Sequence, residues 1–66
     1  MRRWRGVTDY GTFYTVAKSE AEAERNIRAK AVDSRYMFPN GRGGRIERAK
    51  AIRECGIYEL KELGGR

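Results

Sequence analysis

The stretch TFYTVAKSEAEAERNIRAKAV, residues 12–32, decides the fold. Its first six residues are β-branched or aromatic, apart from Ala17, and this composition predicts a strand over residues 12–17. Side chains alternate across a strand, so Phe13 and Thr15 are expected on one face and Tyr14 and Val16 on the other. The remaining residues predict a helix that packs against this strand.

The helix is predicted over residues 20–33. Ser19 has the residue type of an N-cap, and Glu22 stands three residues later, which is the spacing of a capping box. Glu24 and Arg28 are placed to form an ion pair between adjacent turns. The apolar stripe is narrow and mostly small, and comprises Ala23, Ile27, Ala31 and Val32. Such a stripe favours close packing against a sheet.

Two weaker strands complete the predicted sheet. TDYG, residues 8–11, connects residues 3–8 to residues 12–17, and its Asp and Gly are typical of a turn. Residues 3–8 and 12–17 are therefore expected to form a hairpin. The side chains of residues 57–63 alternate so that one face would be exposed to solvent and the other would face the core, which predicts a strand in the same sheet.

The segment between the main helix and the last strand is ambiguous. Residues 45–55 contain strong helix formers, and Ile46, Ala49, Ile52 and Cys55 share one broad face, which favours a helix over a strand. The expected order is β-β-α-(α or β)-β. This is a single α+β domain of 66 residues, in which an antiparallel sheet of three or four strands packs against one main helix.

A flexible loop is predicted at residues 40–45, where Gly is frequent. It contains one Arg-Gly-Gly triplet, with Arg45 directly after it. The loop is either a plain connection or an arm that lays Arg42 and Arg45 onto phosphates.

Composition excludes several classes of function. The chain has no His and a single Cys, so a structural zinc site and a His-based catalytic triad are excluded. No pair of carboxylates stands out as an acid and base, and we expect a protein that is not an enzyme and uses no metal or cofactor. Cys55 is predicted to be a small buried apolar residue, in a reducing, cytoplasmic setting. No apolar run is long enough to cross a membrane.

The basic residues are concentrated in two parts of the chain. Lys and Arg number 15 against nine Asp and Glu, and residues 34–53 carry six basic residues against Glu47 alone. The N-terminal RRWR combines Arg with Trp4, which suits base stacking, although Trp4 is also a candidate core anchor. The predicted contacts to nucleic acid or another partner are Arg2, Arg3, Trp4, Arg5, Arg35, Arg42, Arg45, Arg48 and Arg53.

The stretch FYTVAKSEAEAERNIRAKAV, residues 13–32, resembles a unit of small proteins encoded by phages and mobile elements. In that unit an aromatic-Thr-Val strand leads into a capped helix rich in Ala and Arg. The resemblance covers about a third of the chain. It implies a small protein with a single binding task, a class that includes anti-CRISPR proteins and other inhibitors of host systems.

Three functional hypotheses follow. The first is a non-catalytic module that binds nucleic acid or a ribonucleoprotein surface through its Arg-rich faces. The second is a phage inhibitor of the anti-CRISPR type that docks directly on a host protein complex. The third is a small structural or assembly protein that forms a homodimer through Tyr36, Met37, Phe38 and the edge of the last strand.

Overall fold

Strands β1 (Arg2–Thr8) and β2 (Gly11–Ala17) form an antiparallel hairpin in the computed structural model, which describes residues 1–65. Strand β3 (Ile57–Gly65) pairs antiparallel with the other side of β1, so the strand order is β2-β1-β3. The predicted α+β class is confirmed, with three strands in the described part of the chain.

Helix α1 (Glu20–Arg35) begins at the predicted cap. The hydroxyl of Ser19 accepts a hydrogen bond from the backbone N–H of Glu22 at 3.2 Å. The Glu22 carboxylate accepts from the backbone N–H of Lys18 at 2.7 Å, one residue before the cap itself. The helix continues two residues beyond the predicted end, because Tyr36 is the first residue with extended backbone.

Helix α1 packs on one face of the sheet and approaches strand β1 closely. Ile27 is fully buried and lies over Gly6 of β1, where a Cβ atom would stand 2.5 Å from Cγ2 of Ile27. The core beneath this contact consists of Trp4, Ala17 and Ala23, with Leu60 packed against them. Small residues on both sides therefore allow the approach that the narrow stripe predicted.

Residues 42–54 form a second helix, α2 (Arg42–Glu54), which confirms the helical interpretation of residues 45–55. The predicted loop at 40–45 is too long, since the Arg-Gly-Gly triplet forms the first turn of this helix. Gly44 is buried, and a Cβ atom there would overlap the carbonyl oxygen of Pro39. The absence of a side chain lets the helix start directly against the preceding chain, and a tertiary contact thus overrides the low helix propensity of Gly.

Helix α2 packs against α1 and not against the sheet. The contact surrounds a second core of Ala31, Val32 and Cys55, against which Phe38, Ala51 and Ile52 pack. The predicted apolar face of α2 is wrong in its first half, because Ile46 is 61% exposed and Ala49 is exposed as well. The face that packs runs through Gly44, Arg48 and Ile52, about one turn apart.

Candidate nucleic-acid interface

The predicted binding residues lie on separate surfaces. Arg3 and Arg5 alternate with the buried residues of β1 and therefore point away from α1, on the uncovered face of the sheet. Arg42, Arg45 and Arg53 are exposed on α2, which packs against α1 and does not contact the sheet. Two basic surfaces result, and we call them the sheet face and the α2 face.

Trp4 is removed from the candidate set. It is only 6% exposed, it belongs to the core beneath α1, and its indole N–H donates to the carbonyl of Ala17 at 3.4 Å. Its ring has no free side on which a base could stack. The interpretation of Trp4 as a core anchor is therefore the correct one, because its strand position faces the helix whereas its Arg neighbours face solvent.

The prediction that Arg48 contacts the partner is also wrong. Its guanidinium donates two hydrogen bonds of 2.8 Å to the two carboxylate oxygens of Asp33, in a bidentate pair that joins α2 to α1. The hydrogen bond holds the pKa of Asp33 below its usual value and raises the pKa of Arg48. Because the carboxylate of Asp33 neutralises its charge and occupies its bidentate Nε–Nη2 edge, Arg48 stabilises the contact between the helices and is not a free phosphate ligand.

Two further predicted residues lie apart from these surfaces. Arg2 stands 3.5 Å from the carboxylate of Glu62 on β3. Arg35 is exposed in the last turn of α1, beside a groove of about 480 Å³ that also includes Asp9 and Tyr10. There the hydroxyls of Tyr10 and Tyr36 share a hydrogen bond of 3.3 Å, which raises the pKa of Tyr10 to about 12.

The α2 face is defined by four cations, Arg42, Arg45, Lys50 and Arg53. All four are exposed, and none forms an ion pair with another residue in the range 1–65. The acids of this helix, Glu47 and Glu54, line a groove together with Tyr36 and Phe38, and Lys50 stands at its border. The three Arg residues of the face lie outside this groove, and Ile46 is exposed among them.

The sheet face is defined by Arg3, Arg5, Tyr14, Val16, Lys61 and Leu63. Arg5 stands directly opposite Tyr14 on β2 and Lys61 on β3, so the three side chains form one row across the sheet. Arg5 donates to Glu59 at 3.1 Å, and its buried Nε has no hydrogen-bond partner among the described residues.

Tyr14 is the exposed aromatic residue of the sheet face. It is 57% exposed and borders a shallow cleft of about 420 Å³, which is also lined by Arg3, Thr15, Val16, Lys30 and Leu63. Lys30 reaches over from α1 and donates to the carbonyl of Tyr14 at 2.5 Å. This contact occupies an outward-facing acceptor of the edge strand β2.

Three functional candidates were absent from the predicted set, namely Lys50, Tyr14 and Lys61. A signal for each was present in the sequence. Lys50 stands four residues after Ile46 and three before Arg53, so the helix predicted over residues 45–55 already places it beside them. Tyr14 and Lys61 follow from strand alternation once the pairing of β1 with both neighbours is known.

The predicted homodimer contacts are divided between surface and core. Met37 is 97% exposed, whereas Phe38 is partly buried against the second core and its ring lies 6.1 Å from that of Tyr36.

Cys55 is buried as predicted, and burial raises the pKa of its thiol. No group of three metal-ligating side chains occurs within residues 1–65, and neither described helix has the length and apolar character to cross a membrane.

Comparisons with protein-family models, with curated proteins and with solved structures gave no match to this chain. The resemblance of residues 13–32 to phage and mobile-element proteins therefore stays a prediction.

Proposed function

We propose that this chain is a non-catalytic nucleic-acid-binding protein whose α2 face contacts the phosphate backbone. The observation that carries the proposal is the set of four exposed cations on α2 without an ion-pair partner among the described residues. Exposed cations that are not neutralised within the protein attract a polyanion and release its counterions on binding.

The dimensions of α2 support this assignment. The cations extend from Arg42 to Arg53, which corresponds to about 16 Å along a helix at 1.5 Å per residue. A DNA duplex carries a charge about every 1.7 Å of its axis, so several phosphates fall within this length. The major groove is about 12 Å wide and admits an α-helix, and Ile46 would then face the apolar part of the groove.

Arg is the more frequent cation on this face, and this composition suits phosphate. Three of the four cations are Arg, whose planar guanidinium binds two phosphate oxygens at once. Arg48 lies on the opposite side of the same helix and holds α2 against α1 through Asp33. The pair fixes the direction in which the other cations point.

The proposal is tested by fluorescence anisotropy with a labelled DNA duplex of about 20 base pairs at about 50 mM salt. The double variant Arg42→Gln/Arg53→Gln is expected to bind about tenfold or more weakly than the wild-type protein, because two phosphate contacts are lost. The matched control is Lys18→Gln/Arg25→Gln, which removes the same charge from exposed positions away from α2.

The control is expected to retain most of the wild-type affinity. Absence of binding by the wild-type protein at this salt concentration would refute the proposal. Equal loss in the two double variants would also refute it, since binding would then depend on net charge and not on the α2 face.

A further inference from the structure

We propose that the sheet face is a second site, which binds unpaired bases of single-stranded nucleic acid with Tyr14 as the stacking platform. The inference shares its class of ligand with the proposed function and in that respect rests on it. It assigns a different surface and a different chemistry, since the α2 face contacts the phosphates and groove of a duplex and offers no ring on which a base can stack.

The charges of the sheet face are not balanced within the protein. Arg5 has Lys61 directly opposite on β3 and Arg3 two residues away on the same face, and Glu59 is the one carboxylate that pairs with Arg5 among the described residues. Like charges at opposed positions of a sheet destabilise it. An anionic ligand over this row offsets that repulsion.

Tyr14 adds an exposed aromatic ring to the cations of the sheet face. The residue is 57% exposed in the same row as Arg5, and Arg3 lines the adjacent cleft. Stacking of a base on the ring, together with a phosphate contact from Arg3 or Arg5, is the combination by which proteins hold single strands. Val16 and Leu63 extend the apolar floor of the cleft beside the ring.

The same features argue against other occupants. In a duplex the bases are stacked on each other, and their faces are not accessible to a tyrosine ring on a sheet. A second copy of the chain bound through this face by a two-fold axis would bury the cations Arg3, Arg5 and Lys61 of both copies in one interface, which is repulsive. A single strand offers unpaired bases that can stack on the Tyr14 ring and phosphates that can bind the cations.

The test uses the full chain and a labelled oligothymidine of about 15 nucleotides, with anisotropy as the readout. Tyr14→Leu keeps an apolar side chain on the sheet but removes the ring, and we expect it to bind the oligothymidine about tenfold or more weakly. Tyr14→Phe keeps the ring and should retain the wild-type affinity within about threefold. Circular dichroism establishes that both variants are folded.

A second variant tests the phosphate contact independently of Tyr14. Arg3→Gln removes one cation of the cleft, and the log–log dependence of oligothymidine affinity on salt should become shallower by about 0.7. Tyr14→Leu should leave the affinity for the duplex within about twofold of the wild-type value, because the ring does not contact paired bases.

Two results would overturn the inference. One is an oligothymidine affinity of Tyr14→Leu equal to that of the wild-type protein, and the other is no oligothymidine binding by the wild-type protein. Binding of the oligothymidine that depends on Tyr14, with no binding of duplex, would support the sheet site while refuting the proposed function of the α2 face.

Discussion

Gly6 controls the distance between α1 and the sheet. It lies within β1, and the fully buried Ile27 of α1 lies directly over it. Neither residue is exceptional in the sequence, and a Gly inside a strand usually weakens it. Here the missing side chain makes room for Ile27, so the local cost is offset by burial of an apolar residue.

Replacement of Gly6 by Ala is expected to lower the free energy of unfolding by about 1–3 kcal/mol. The added Cβ would stand 2.5 Å from Cγ2 of Ile27, and either the helix or the strand must shift. Urea denaturation followed by circular dichroism measures the change.

The control for this substitution is Gly43→Ala. Nothing lies within 4 Å of a Cβ atom at Gly43, which is in the first turn of α2. Ala has the higher helix propensity, so this variant should be unchanged or more stable by up to about 1 kcal/mol. A Gly6→Ala protein as stable as the wild type would contradict the close contact between α1 and β1.

At the scale of elements, α2 is the least firmly attached. It contacts α1 through Ala51 and Ile52, its buried Gly44 lies against Pro39, and it does not contact the sheet. Two polar contacts also join the helices: the bidentate pair of Arg48 with Asp33, and a hydrogen bond of 2.9 Å from Arg28 to the carbonyl of Cys55 at the C-cap of α2. At the end of α2, the Asp9 carboxylate accepts from the N–H of Gly56 at 2.8 Å and from the hydroxyl of Tyr58, which joins the hairpin turn to the start of β3.

The Arg48–Asp33 pair predicts a specific pH dependence of stability. Arg48 lowers the pKa of Asp33 below its ordinary value of 3.8 in the folded protein. The pair therefore stabilises the fold above pH 3.8, and this contribution is lost as the pH falls through the lower pKa of the folded state. Both side chains are nearly half exposed, so the contribution is small, about 0.5–1 kcal/mol.

Urea denaturation of Arg48→Met and of the wild-type protein measures this contribution. We expect a difference of about 0.5–1 kcal/mol at neutral pH, which shrinks as the pH falls below 3.8. The control is Arg25→Met, whose position is exposed and outside every ion pair of the described residues. A difference for Arg48→Met that stays constant down to acid pH would contradict the role of the pair.

Elements with strong local signals were predictable from the sequence. Strand β2 and helix α1 follow from strand alternation and from the Ser19 cap, and both agree with the structure apart from the later end of α1. The start of α2 was not predictable, because local propensity treats Arg-Gly-Gly as a loop. Its helical form depends on the contact of Gly44 with Pro39, which is a property of the folded chain.

At the scale of the whole molecule, neighbouring residues in the sequence separate onto different surfaces. Within RRWR, the side chain of Trp4 lies in the core and that of Arg3 lies on the uncovered face of the sheet, because side chains alternate along a strand. The block at 42–53 divides in the same way around a helix, with Arg48 on the packed side. The basic character of the site was therefore predictable, and the identity of its free cations required the packing of α2.

The most direct test of the α2 face is the salt dependence of duplex binding. Four cations that contact phosphates predict a log–log slope of about −4 for the wild-type protein, and removal of two in Arg42→Gln/Arg53→Gln predicts about −2. The control Lys18→Gln/Arg25→Gln should keep a slope of about −4. Equal slopes for the wild-type protein and the α2 variant would contradict the account, because the cations of α2 would then make no contact with the duplex.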